Sequence, residues 1–174
     1  MEEGIIMPGF TTHYIFGMKA YNDMPNSQLK HIVAKYRWLY QLGLQGPDIF
    51  FYNIPILRHQ DYRNVGSHMH EHQGSQFFDC CLRHIGLISS RQQKEEAVAY
   101  LAGFINHYIA DSICHPFIYG RIGYDINEPS TKNHGLHAAL ENELDAILLW
   151  KYKKKKPSEF NQTASICLNG QELQ

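Results

Sequence analysis

In the stretch YLAGFINHYIADSICHPFIYG, residues 100–120, His107, Asp111 and His115 recur at every fourth position. On a helix four residues advance ~400°, so each member of the row lies only about 40° round from the last and all three share one face. Their neighbours are apolar. Two imidazoles and a carboxylate are costly in an apolar interior unless something compensates their polarity. A divalent cation does so, because it takes neutral imidazole and carboxylate together. A hydrogen-bonded network among the side chains is the alternative.

A second row lies near the C-terminus, where His137 and Glu141 are four apart, His134 precedes them by a turn and Asp145 continues the series. Leu136, Leu140, Leu144, Ile147 and Leu148 form a separate apolar stripe there. Further donors fall outside these rows. Asp48 sits in LGLQGPDIFFY and, taken alone, reads as an ordinary Pro-Asp turn. GSHMHEHQGSQFF offers His68, His70 and His72 at alternate positions, and His13 in TTHYIFG stands by itself. Histidine is the compositional outlier, 11 in 174 residues and clustered, and imidazole is the commonest neutral metal ligand.

The elements that must position these residues read as helices. The spacing predicts a helix from Ser27, an N-cap, to about 42, with Leu29, Ile32, Val33, Tyr36, Leu39 and Tyr40 on its apolar face. A shorter segment over 10–21 opens after Thr11 and Thr12 as capping candidates. Gly43, Gly46 and Pro47 punctuate the chain, 58–75 reads as a polar loop, and helices follow over about 76–87 and 91–115. Pro116 and Gly120 are expected to close the long helix, 121–133 to be a loop and about 134–152 the last helix. No period-two alternation marks a sheet, so the fold class is all-α, a compact multi-helix bundle whose long loops carry part of the ligand set. Residues 1–157 read as a single helical domain and 158–174 as a loosely attached tail.

Composition excludes several classes. With 44% hydrophobic and 19% charged residues the chain is a globular domain of one core, not a disordered one. A net charge of -1 gives no global field for nucleic acid as a stable partner. The run Lys151-Tyr152-Lys153-Lys154-Lys155-Lys156 reads first as a solvated helix end and second as a membrane-surface patch. Cys80, Cys81, Cys114 and Cys167 show no CxxC spacing, so neither a disulfide framework nor a thiolate zinc site is expected. The N-terminus shows no apolar run of signal-peptide length, so the expected location is cytoplasmic; a start at Met7 would leave secretion open.

Taken in order, THYIFG, LGLQGPDIFF, HMH before FF, GFINHYIADSICHP and HxxxE resemble the zinc-dependent phospholipase C family, all-helical enzymes related to the P1-type nucleases. The likeness spans about residues 8–145. It implies two or three Zn2+ ions: one held by Asp48, His70, His107 and Asp111, a second by His115, His137 and Glu141, and a third by His13 with Asp111 shared. His70 is preferred to His68 and His72 for its spacing to Phe77-Phe78. The resemblance further implies hydrolysis of a phospholipid phosphodiester by metal-activated water, with Asp48 as candidate general base or water-orienting group. Phe50, Phe51, Tyr52, Phe77, Phe78, Tyr108, Phe117 and Tyr119 are expected to pack the core first and to line an acyl or choline pocket second. A nuclease-like or other small-phosphoester hydrolase is one alternative, and a non-catalytic zinc-stabilised helical domain is another. Transient membrane contact is compatible with a phospholipid substrate, and no obligate protein partner is implied.

Overall fold

The computed structural model describes residues 9–52, 65–71, 74–124 and 131–161. The described residues form α1 (Phe10–Asp23), α2 (Gln28–Lys35), α3 (Arg37–Gly43), a 3-10 turn (Gly46–Tyr52), α4 (Val65–Glu71), α5 (Gly74–Leu87), α6 (Arg91–Ile122), α7 (Thr131–Lys153) and a short 3-10 turn (Pro157–Glu159). Among them there is no strand, and the class is all-α. None of the described helices is long and apolar enough to cross a membrane.

The 32-residue α6 is the spine. Helices α1, α2, α3, α5 and α7 all pack against it, and α1 also lies along α7. Met18, Val33, Tyr40 and Leu44 form the central apolar cluster, closed by the Tyr40 hydroxyl donating to the Gly17 carbonyl at 2.7 Å. Contact between α3 and α6 is backbone to backbone. A Cβ on Gly103 would lie 2.1 Å from the Tyr40 carbonyl oxygen, and one on Gly43 would lie 2.2 Å from that of Tyr100. No larger residue fits at either position, and this approach sets the end of α3 directly over the His107 turn of α6.

Four boundaries differ from the sequence expectation. The helix expected over 27–42 is two helices. Ser27 caps the first, accepting from the Lys30 N–H at 3.2 Å, but the chain leaves helical geometry at Tyr36 (φ -113°, ψ 46°). The offset lets Val33 and Tyr40, both 0% exposed, reach one core. The α1 cap is likewise elsewhere: Thr11 and Thr12 lie inside the first turn, and Gly9 precedes it without a side-chain cap. Much of the expected polar loop over 58–75 is helical, since α4 docks on the 3-10 turn and α5 begins at Gly74; residues 53–64 lie outside the described residues. His70 is therefore carried by a helix and Asp48 by a 3-10 turn, where loops were expected.

Finally, α6 runs through Pro116 to Ile122. A proline costs a helix one hydrogen bond, and here burial of Ile118 at 2% exposure and stacking of Tyr119 on His115 hold the turn together. Gly123, in the left-handed region at φ 65°, ends the helix by donating its N–H to the Tyr119 carbonyl. Beyond α7, Phe160 packs on Tyr14 with ring centroids 5.6 Å apart. Residues 162–174, which include Cys167 and most of the expected tail, lie outside the described residues.

Candidate metal centre

The fourfold row on α6 faces inward as its spacing requires. His107, 2% exposed, donates from Nδ1 to the Leu44 carbonyl at 3.1 Å, a bond that the close approach of α3 makes possible. A carbonyl can only accept, so Nδ1 carries a proton and Nε2 is the nitrogen turned into the site. That Nε2 lies 3.0 Å from Asp111 Oδ2. The other Asp111 oxygen faces two further imidazoles, His13 Nε2 at 3.2 Å and His115 Nε2 at 3.9 Å. His13 reaches in from α1 and stacks on His107, with centroids 4.0 Å apart and planes at 23°.

Asp48 arrives because of Gly46. That residue has φ 52°, and a Cβ there would sit 2.2 Å from the His107 ring, so both the conformation and the space demand glycine. The chain passes against the imidazole and delivers a buried Asp48 whose Oδ1 is 3.1 Å from His70 Nε2 and 3.8 Å from His107 Nε2. His70 is oriented as His107 is: its Nδ1 donates to the Gly66 carbonyl one turn back on α4 at 2.7 Å. Its Nε2 also lies 3.5 Å from Asp111 Oδ2. Of the alternate-position histidines, His68 is exposed and His72 lies outside the described residues.

The row on α7 meets the end of the α6 row. His137 Nε2 and Glu141 Oε1 are 2.7 Å apart, and His115 Nε2 is 3.6 Å from the same oxygen. Tyr119 braces both imidazoles, stacked on His115 and edge-on to His137 with centroids 5.4 Å from each. Tyr124 stacks behind Tyr119 at 4.7 Å. Phe77, Phe78, Phe104 and Tyr108 pack on one another beside the His107 turn, Phe77–Phe104 at 5.1 Å and Phe78–Tyr108 at 5.3 Å. Phe117, at 58%, Tyr108, at 46%, and Phe77, at 37%, are exposed, which corrects their assignment to the core. The side chains of Phe51 and Tyr52 lie outside those described.

Asp145 has a role the sequence reading missed. It does not join the ligand row of α7; its two oxygens accept from the backbone N–H groups of Thr11 at 3.0 Å and Thr12 at 2.8 Å, and from the Thr12 hydroxyl. A carboxylate from α7 thus caps α1, satisfying two of the orphan donors of its first turn and fixing the turn that carries His13. Gly9 is required beside it, since a Cβ there would lie 2.3 Å from Asp145 Oδ1. Thr11 and Thr12 were the local signal. The remote acceptor left none.

Charge follows this geometry. Burial favours neutral imidazole at His70, but the Asp111 and Asp48 carboxylates outweigh it and push the imidazole up to about 10. His13 is raised in the same way, burial again overcome by Asp111, with Asp48 and Asp145 adding to it. Burial opposes ionisation of Asp111, yet His107, His13 and His70 hold its carboxyl far below the usual carboxylate range. Glu141 is lowered too, the partners being His115 and His137 against its burial. The site is built to attract positive charge.

Whether it suits a divalent cation rests on the donors themselves. They fall into three triads, His13–His107–Asp111, Asp48–His70–His107 and His115–His137–Glu141, in each of which all ligand atoms lie within 4.8 Å of one another. His107 Nε2 and Asp48 Oδ1 are buried without a well-aligned hydrogen bond. Buried polar atoms are ordinarily paired, and two such atoms 3.8 Å apart suit a shared divalent cation. Imidazole and carboxylate are zinc's ordinary donors; His107 stands in two triads but turns only Nε2 inward and serves one ion, so no ion has more than three donors from its triad and coordination positions stay open. All eight residues singled out by the sequence reading meet at this place.

The sequence model of the family described as zinc-dependent phospholipase C matches residues 12–168. No curated protein and no solved structure matches the chain. With nearly its whole length matched, the chain belongs to the zinc-dependent phospholipase C family.

Proposed function

We propose that this member of the zinc-dependent phospholipase C family hydrolyses the phosphodiester of a phospholipid, using zinc held by His13, Asp48, His70, His107, Asp111, His115, His137 and Glu141. The observation that carries the reading is three adjacent donor triads, with Asp111 of the first lying 3.5 Å from His70 of the second and 3.9 Å from His115 of the third, and buried His107 and Asp48 atoms lacking aligned partners. When bound, zinc supplies charge neutralisation for phosphate oxygens and a water acidic enough to lose its proton near neutral pH.

The chain's own residues do the rest. The carbonyls of Leu44 and Gly66 hold His107 and His70 with Nε2 inward, so neither ring needs to reorganise on binding cations. Asp111 spans the triads and keeps their separation fixed. Asp48 is proposed to orient the attacking water and to accept its proton. A carboxylate committed to a cation is a weak base, so most of its contribution is positioning. Three adjacent triads, two of them sharing His107 and none with a fourth donor among the described residues, support catalysis over a purely structural ion, which would fill one closed tetrahedron.

The test is hydrolysis of a panel containing a phospholipid, a dinucleotide and a small phosphodiester, measured before and after chelation, alongside elemental analysis. The expected result is two or three zinc ions per chain, phospholipid cleavage lost on chelation and restored by zinc, and an Asp48→Asn variant that keeps the zinc at His115–His137–Glu141 but is about 100-fold slower. Chelator-resistant activity, or preference for the dinucleotide, would overturn the reading.

A further inference from the structure

The end of α7 joins exposed apolar side chains to unneutralised cations. Ile147 is 60% exposed and Trp150 56%, and with Lys151 they occupy one face of the last turns, one residue set three and four apart. Five of the chain's sixteen cations lie within residues 151–156, in a molecule whose net charge is -1. Among the described residues no ion pair joins any of these five lysines to a carboxylate. Lys151 and Lys153 instead lie over the rings of Tyr152 and Tyr14, at 5.4 and 5.7 Å from the centroids. Glu143, exposed one turn before Ile147, bounds the patch on its N-terminal side.

This segment is held, not trailing. The Lys154 N–H donates to the Trp150 carbonyl at 3.1 Å, Lys154 turns the chain at φ 55°, and the Lys156 N–H donates to Glu159 at 2.9 Å. Phe160 then anchors the run on Tyr14 of α1. The lysines are presented from a fixed platform beside a protruding tryptophan.

We propose that this end of α7 docks the protein on anionic membrane surface, Trp150 and Ile147 entering the headgroup boundary while Lys151 and Lys153–Lys156 face the anionic lipids. Indole belongs at that boundary, apolar in body with one polar N–H. Each lysine near such a surface strengthens binding about fivefold, an attraction that salt screens. Nucleic acid would use the same charges, but it offers an isoleucine and a protruding indole no comparable apolar layer. The docking rests on the phospholipid reading for its purpose, bringing the protein to its substrate, but is measured without any hydrolysis.

Co-sedimentation of the purified full chain with vesicles tests it. The chain is expected to bind vesicles of phosphatidylcholine mixed with phosphatidylglycerol at low salt, to be released at high salt, and to ignore phosphatidylcholine alone. Replacing the five lysines together by glutamine (K151Q, K153Q, K154Q, K155Q, K156Q) should lower binding more than about 100-fold. Trp150→Ala should weaken binding at every salt concentration, because apolar contact is not screened. Both variants should retain wild-type zinc content, helical circular dichroism and any hydrolysis of a dispersed short-chain phospholipid. Equal binding to both vesicles, undiminished binding by the lysine variant, or an oligonucleotide that binds the same lysines more tightly than the vesicles would overturn the docking. Failure of hydrolysis in the wild type would count against the phospholipase reading alone.

Discussion

Both oxygens of Asp111 face imidazoles, Oδ1 toward His13 and His115 and Oδ2 toward His107 and His70, so neutralising this one side chain disturbs more than one triad. Asp111→Asn is therefore expected to lose more than one zinc equivalent by elemental analysis. Cys114→Ser, three positions on, is the matched control. Burial, then the charges of Asp111 and Glu141, push the Cys114 thiol up, keeping it protonated and a poor ligand. Its variant should keep full metal content, and equal loss from both would mean that the helix, not the donor set, had been damaged. At this scale the sequence was highly legible. A carboxylate flanked at four-residue spacing by two imidazoles has few other uses in an apolar helix. What could not be read were the main-chain partners, the Leu44 and Gly66 carbonyls that orient His107 and His70, because a carbonyl has no residue type.

Among the elements, α1 is the one whose position depends on another helix's side chain. Asp145→Ala removes three hydrogen bonds from the first turn of α1 and is expected to cost about 1–2 kcal/mol, the usual range for a lost cap. It should also weaken zinc at the triad containing His13 more than at His115–His137–Glu141, read by competitive titration with a chromophoric chelator; equal weakening at both would make Asp145 a general stabiliser only. Asp145→Asn, which keeps acceptor oxygen without the charge, should fall between. The elements themselves were legible where periodicity alone decides, as at the Ser27 cap and the ligand row of α6. They were misread where tertiary contact overrides a local signal. Tyr36 breaks an uninterrupted apolar pattern so that two faces can share a core, and Pro116 fails to stop a helix whose next turn is packed by Ile118 and Tyr119.

Over the whole molecule, residues from His13 to Glu141 meet at one point, drawn from α1, the 3-10 turn, α4, α6 and α7. The ordered likeness to a family made this assembly legible, since nothing in their spacing links His13 or Asp48 to the α6 row. Three carboxylates so close need positive charge between them, and without zinc that charge is protons. In the chelated chain the imidazoles of His70, raised to about 10, and His13, also raised, contribute stability that is complete below their ordinary value near 6.5 and is lost as pH rises through the folded values. Asp111 works the other way. Held below its ordinary value near 3.8, it contributes stability above that pH and loses it only in strong acid, so it does not offset the alkaline loss. Zinc-loaded protein has no such protons to lose, because its ligands are already deprotonated, and zinc competes better as protons become scarce. The melting temperatures of loaded and chelated protein should therefore diverge from about pH 6.5 to about pH 10, with protons released on zinc binding near neutrality. Melts with and without chelator, and titration calorimetry in buffers of different ionisation enthalpy, read the two effects separately. A gap that stays constant with pH, together with no buffer dependence, would mean that these imidazoles do not hand their protons over to the metal.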